Sequence, residues 1–394
     1  MAGALRNVVV VGGSYVGVVT SQGLAKSLPA THRVLLIEPH THFHHLFAFP
    51  RFAILPKHEH KAFIPYTTTF ASAPNPSAHA VVTARVSSLL PDRVVLDREW
   101  QSVREIPFDH LVVATGTRLQ APGTMEFDDK PSSVKYLQDY QERIKQAKSV
   151  LIVGGGAVGV QMATDLKEIY PEKEVILVHS RNQLMPLYHE KLDEIIKARC
   201  KELGVKLVLG SRVNLPAGGL QPDATTVSLQ NGESLTADVI IPATGQTPNT
   251  QFLSSLPPSS PDSIINPANG FIRVKPTLQF QDPKYPNMFA VGDVADSGAH
   301  KAARPGAGQG QVLAKNILAM IEGREPSNNI DVDPPGIHLT LGLTKNLLFG
   351  NPDKRKGETE PFIVHRDDGQ ADMHINNVWT RRGANVKSEQ DYHL

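Results

Sequence analysis

One pattern constrains this chain more than any other, because it occurs twice. Val8 to Val11 is a continuous β-branched run, which reads as a strand buried on both faces. It meets Gly12 and Gly13, a helix-like stretch follows from about Tyr15 to Lys26, and a second apolar run, Val34 to Ile37, ends at Glu38. Ser149 to Val153 starts the same series again, with Gly154-Gly155-Gly156, a helix-like stretch to about Ile169 and the run Val175 to Val178. Gly154 lies 142 residues after Gly12. Two later strands also share an ending: Leu111 to Val113 runs into Ala114-Thr115-Gly116, and Val239 to Ile241 reaches Pro242 and then Ala243-Thr244-Gly245. The duplication predicts an α/β chain with two Rossmann-like dinucleotide-binding domains.

Between the two units Gly116 to Ser133 is rich in Pro and Gly and reads as a crossing linker; Pro248 to Asn269 reads as the loop that returns. The expected organisation is one discontinuous domain over 1–120 and 251–330, a second domain over 121–250, and a small C-terminal α+β unit over 331–394. Gly336 to Gly350 is mostly apolar and is expected to pack against the first domain rather than touch a membrane. The polar tail from Asn351 is expected to lose order over its last dozen residues.

Charge and cysteine content exclude several classes. Forty Lys+Arg against 39 Asp+Glu leave no basic excess for nucleic acid. The one cysteine, Cys200, rules out an internal disulfide framework, a redox cysteine pair and a multi-cysteine metal cluster, and its helical surroundings suggest packing. No apolar run reaches the ~18 residues of a transmembrane helix. Arg6 follows a start with no apolar leader, and Ala2 stands where myristoylation needs glycine. These features point to a reducing, cytoplasmic setting, with membrane or mitochondrial association and oligomeric state left open. His40, His42, His44 and His45 crowd one loop near His58 and His60, but no acid or cysteine pattern completes a metal site.

The second glycine motif, Gly154-x-Gly156-x-x-Gly159, lies between strand and helix, as pyrophosphate binding requires: a tight turn, close backbone approach, then close helix packing. The first, Gly12-x-Ser14-x-x-Gly17, puts a serine at the middle position, where its hydroxyl can donate to a phosphate. Glu38 suits ribose hydroxyls. The corresponding strand of the second unit ends His179-Ser180-Arg181, with no acid; Arg181 either pairs with a 2′-phosphate or faces water. Asp293, in Ala290-Val291-Gly292-Asp293, can accept from the ribityl hydroxyls of a flavin. The order of these features assigns FAD to the first unit and NADH or NADPH to the second.

The chain resembles the apoptosis-inducing-factor-like flavoprotein reductases of the two-dinucleotide-binding-domain superfamily, closest to the ferroptosis-suppressor (AMID-like) members. Phe43-His44-His45, Arg51, Lys61 to Tyr66, Tyr170 to Val175 and Gly292-Asp293 carry the resemblance, and Asp372 through Trp379 extend it loosely. It implies FAD contacts at Gly13, Ser14, Tyr15, Val16, Gly17, Arg51, Val86 and Asp293, and NAD(P)H oxidation with reduction of a quinone-like acceptor. Peripheral membrane contact in the animal members relies on myristoylation. Where the family usually carries Glu, two residues after the third glycine of the second motif, this chain has Gln161, which can hydrogen-bond a carboxamide but cannot titrate. Two other readings stay open: a tailoring oxidoreductase for one small metabolite, and a low-turnover redox signalling protein.

Overall fold

The computed structural model describes residues 5–215 and 225–394. The Ala2 position therefore lies outside the described residues. In chain order the principal elements begin with β1 (Arg6–Val11), α1 (Tyr15–Ser27), β2 (His32–Glu38), β3 (Ala80–Thr83), β4 (His110–Val113) and α2 (Lys130–Gln146). The second unit supplies β5 (Ser149–Val153), α3 (Ala157–Ile169), β6 (Glu174–Val178), α4 (Glu190–Leu203), β7 (Lys206–Val208) and β8 (Val239–Pro242). Then come β9 (Met288–Ala290), α5 (Ala303–Ile321), β10 (Gly336–Thr340), β11 (Asn346–Gly350), β12 (Phe362–Arg366) and α6 (Ile375–Arg381).

Two parallel sheets follow from the two apolar run sets. The first has order β9-β4-β1-β2-β3, the second β7-β6-β5-β8, and every pairing in them is parallel. Side chains alternate across a strand, so each run of valines feeds two cores at once. Val9, Val11, Leu35 and Ile37 face a core with Val86, Leu89, Val94 and Ile106. Val8, Val10, Val34 and Leu36 face the opposite one, closed by Leu24, Leu313, Ile317 and Trp379. The first of these covers is a three-stranded antiparallel sheet spanning Val86–Leu89, Arg93–Trp100 and Val103–Pro107, which the sequence reading did not anticipate.

Three expectations need correction. The stretch read as a linker contains a strand, Thr117–Leu119, that pairs with Gln246–Pro248 into an antiparallel ribbon, and α2 already begins at Lys130. The Gly336–Gly350 segment packs on the second unit, not the first: Leu339, Leu341, Leu347 and Phe349 join the core of Val150, Ile152, Val160 and Leu177. The tail is docked. Lys130 Nζ donates to the carbonyls of Tyr392 (2.6 Å) and Leu394 (2.7 Å), Tyr392 is buried edge-on to Trp379, and His60 stacks on His393. The C-terminal unit thus divides its loyalties, the hairpin β10–β11 to the second unit and α6 with the tail to the first.

Candidate functional site

The two glycine loops are built alike. Gly12 (φ +102°) and Gly154 (φ +125°) take a backbone conformation that side chains avoid, and each lies under the carbonyl of the alanine in Ala-Thr-Gly, Ala114 or Ala243, so a Cβ there would collide. A Cβ on Gly17 or Gly159 would run into the carbonyl oxygen of Gly12 or Gly154. The middle position differs. At Gly156 a Cβ would meet nothing within 4 Å, so the space beside it is open. That same openness is why Ser14 is tolerated in the first loop: it is the N-cap of α1, yet its hydroxyl makes no bond to the helix.

Around the first loop, Gly13 N–H donates to Glu38 Oε2 at 2.5 Å, and the other carboxylate oxygen accepts from the backbone and the ring of His40. Burial pushes the Glu38 pKa up, but these bonds outweigh it and hold the group below its ordinary value. Tyr66 hydroxyl closes the loop from the other side on Gly13 carbonyl (2.7 Å). Tyr15 bonds His45 Nδ1 (2.8 Å) and lies edge-on to Phe43. Val16 wedges between Gly292 and Gly306, bringing the loop to the turn that carries Asp293. Asp293 is half-buried, makes no side-chain hydrogen bond among the described residues, and its pKa is raised by burial against the opposing pull of Lys301. Val86 is buried at the start of its strand, paired with Leu96. A free Ser14 hydroxyl, an open helix first turn and an unpartnered Asp293 carboxylate are the donor and acceptor set that a flavin dinucleotide needs.

At the second loop the equivalent of Glu38 is His179, a residue the sequence reading passed over. Gly155 N–H donates to its Nδ1 at 3.1 Å, while Nε2 is buried without a partner and burial lowers the ring's pKa. Arg181 is exposed beyond it. Gly245 (φ +61°) is open on the side where a Cβ would stand. Gln161, half-buried on α3, reaches Met373 Sδ (3.9 Å) and hydrogen-bonds Asp165 one turn on.

Arg51, for which the resemblance implies a flavin contact, also makes a tie between the units. Its side chain is 1% exposed and forks onto Asp165 of α3 (2.8 and 2.9 Å), with further bonds to the carbonyls of Gly342 (2.7 Å) and Gln370 (3.0 Å). It ties the first unit to the second and to the C-terminal unit. Asp165, an acid inside the otherwise apolar Met162–Leu166 turn, was the sequence signal for a buried counter-charge. The histidines take separate tasks: His44 lies edge-on to Phe63, His45 bonds Tyr15, and His60 pairs with Glu389. Cys200 is buried in α4, its thiol pushed up to about 11 by burial.

Residues 6–311 match the family model described as pyridine nucleotide-disulphide oxidoreductase. The chain is 36% identical to Fe-regulated protein 8 of Mycosarcoma maydis, over 96% of this chain and 95% of that protein. It is 30% identical to ferroptosis suppressor protein 1 of Mus musculus, over 91% and 90%. Among solved structures, the sulfide:quinone oxidoreductase of Aquifex aeolicus superposes with a TM-score of 0.71 at 18% identity, covering 97% of this chain and 93% of that one.

Proposed function

The chain belongs to the pyridine nucleotide-disulphide oxidoreductase family, in its apoptosis-inducing-factor-like branch, and on that premise we propose an NAD(P)H oxidoreductase that delivers electrons to a quinone-like acceptor. It is a flavin-dependent oxidoreductase that uses FAD and NAD(P)H. FAD supplies the redox chemistry, accepting a hydride and passing electrons on; the protein supplies binding, orientation and exclusion of side reactions.

In this reading Ser14, Glu38 and Asp293 hold the dinucleotide of the first loop. Gly154, Gly156 and Gly159 admit the second nucleotide, and Gly245 leaves room beside it. Arg181 with a neutral His179 accommodates a 2′-phosphate that an acid would repel, which favours NADPH. Gln161 is poised to hold the nicotinamide carboxamide through its amide and moves no proton, so the acceptor's protons come from water. One observation carries the acceptor reading: the only cysteine is buried with a raised pKa. A disulphide relay through protein thiols is closed to this chain, so a small diffusible acceptor meets the flavin directly.

Among the described residues no helix is long and apolar enough to cross a membrane. We place the protein in the cytoplasm, with any membrane contact peripheral. The test is anaerobic stopped-flow reduction by NADH and by NADPH, followed by mixing with a short-chain ubiquinone. Fast bleaching of the flavin band, faster with NADPH, and fast reoxidation by quinone are expected. Fast bleaching with slow quinone reoxidation would move the reading to a tailoring enzyme for one metabolite, the reading that Gln161 favours.

A further inference from the structure

Arg382 is a cation without an anion. Its guanidinium carbon lies 3.9 Å from the centre of the Phe43 ring and 5.8 Å from that of Tyr15. The side chain makes no hydrogen bond or ion pair among the described residues, and no carboxylate interacts with it. The groups that do are Tyr15, Tyr66 and a like charge, Arg381. It is half-buried, and a charge drawn partly out of water is stabilised by a counter-ion.

The backbone that carries it is fixed. Arg382 caps α6, its N–H donating to Val378 and Trp379 carbonyls, while its own carbonyl accepts from Thr68 Oγ1 at 2.6 Å. Trp379, fully buried one turn earlier, pins α6 through its indole N–H to the Lys61 carbonyl (2.8 Å). The guanidinium is thus held against Tyr15, the first residue of α1, and near Tyr66, which bonds Gly13. Tyr15, Val16 and Gly17 precede the first intrahelical bond, Val18 N–H to Ser14 carbonyl, so their N–H groups lack helical acceptors. Among the described residues, Ser14 Oγ and the N–H groups of Tyr15, Val16 and Gly17 have no partner at the start of α1, and the unpaired guanidinium lies over the ring of Tyr15, the first residue of that helix.

We propose that Arg382 is the counter-ion of the FAD diphosphate, so that the C-terminal unit supplies part of the first unit's cofactor site. The proposal rests on FAD occupying the first loop. An arginine fork suits phosphate oxygens better than a point charge does, and aromatic rings on its faces leave its edges free to donate.

The test compares wild type with Arg382→Met, which keeps the stem on Phe43 and removes the charge, and with Arg382→Lys. Full-length protein stripped of flavin is titrated with FAD by quenching of flavin fluorescence, with ADP and adenosine as competitors. For R382M the dissociation constants of FAD and ADP rise roughly 10- to 100-fold, the size of one charge-assisted hydrogen bond. Adenosine, which lacks phosphate, changes less than about twofold, the flavin-free melting temperature holds, and R382K recovers part of the loss. Unchanged FAD affinity in R382M overturns the proposal. So does a loss for adenosine equal to that for ADP, which would make Arg382 a shaping residue only. Wild type that takes up no FAD overturns the proposal together with the cofactor reading beneath it, and so is told apart from failure of Arg382 alone.

Discussion

The two glycine loops make the same backbone request and answer it with opposite chemistry. In each, the N–H of the second glycine points at the residue ending the neighbouring strand: Gly13 at Glu38, Gly155 at His179. A carboxylate and a neutral imidazole both accept that bond. The strand-end residue therefore serves the loop first and the nucleotide second. What differs is the charge left over: an anion beside the first loop, an uncharged ring followed by exposed Arg181 beside the second. In the proposed reading, one fold sorts two adenine dinucleotides by the phosphate on the ribose, without altering the loop that holds the pyrophosphate.

The strongest way to break this comparison is to uncouple the units. Arg51→Ala strips buried Asp165 of its counter-charge and leaves it only the Gln161 bond, an expected loss of about 3–5 kcal/mol in stability. Urea unfolding followed by flavin fluorescence and far-UV dichroism checks it, and a midpoint close to wild type would mean that the units do not depend on this tie. A sharper contrast comes from Glu38→Gln. FAD affinity falls by roughly 10-fold or more as a charged acceptor is lost, while the KM for NADPH stays put; equal effects on both nucleotides would contradict the division of labour. Arg181→Ala is the mirror experiment. It raises the KM for NADPH by roughly 10-fold, about the worth of one charged hydrogen bond, and leaves NADH within twofold.

Acid stability separates the loops again. Because the Glu38 pKa is depressed in the folded protein, its stabilising contribution is fully present above its unfolded value of ~4.3. That contribution is lost as pH falls through the lower folded value. Wild type should therefore lose its melting-temperature advantage over Glu38→Gln below about pH 4.3, measured on flavin-free protein. Ser14→Gly is the smallest change. Restoring the glycine of the second loop removes one neutral donor, worth about 1 kcal/mol in FAD binding at most.

What the sequence disclosed was local. Valine runs punctuated by glycine determine strand, turn and helix within about thirty residues, and the paired Ala-Thr-Gly endings disclosed the duplication, while that their alanine carbonyls cover the first glycines came only with the structure. What it withheld was remote. The partner of Arg51 is 114 residues away and its other acceptors lie beyond residue 340, so its role as a tie between the units was out of reach of local pattern. His179 was overlooked because an acid was sought there, whereas the loop asks only for an acceptor. The apolar Gly336–Gly350 hairpin announced that it would be buried but not against which unit, since either core offers the same aliphatic surface. The tail looked unstructured because its anchors, Tyr392 and the carbonyls that Lys130 binds, are few and lie among polar neighbours.

The route of the chain through the first unit has a consequence for how the protein is made. That core needs Val8 from the first strand, Phe289 from the returning one, and Ile375, Trp379 and Tyr392 from the C-terminal unit. A ribosome delivers these in that order, with the whole second sheet emerging in between. The first unit's core is begun first and completed last, so a nascent chain halted before Trp379 presents the glycine loop on an unfinished core. If Arg382 completes the flavin site as proposed, products truncated before Trp379 should hold FAD more weakly than the full chain.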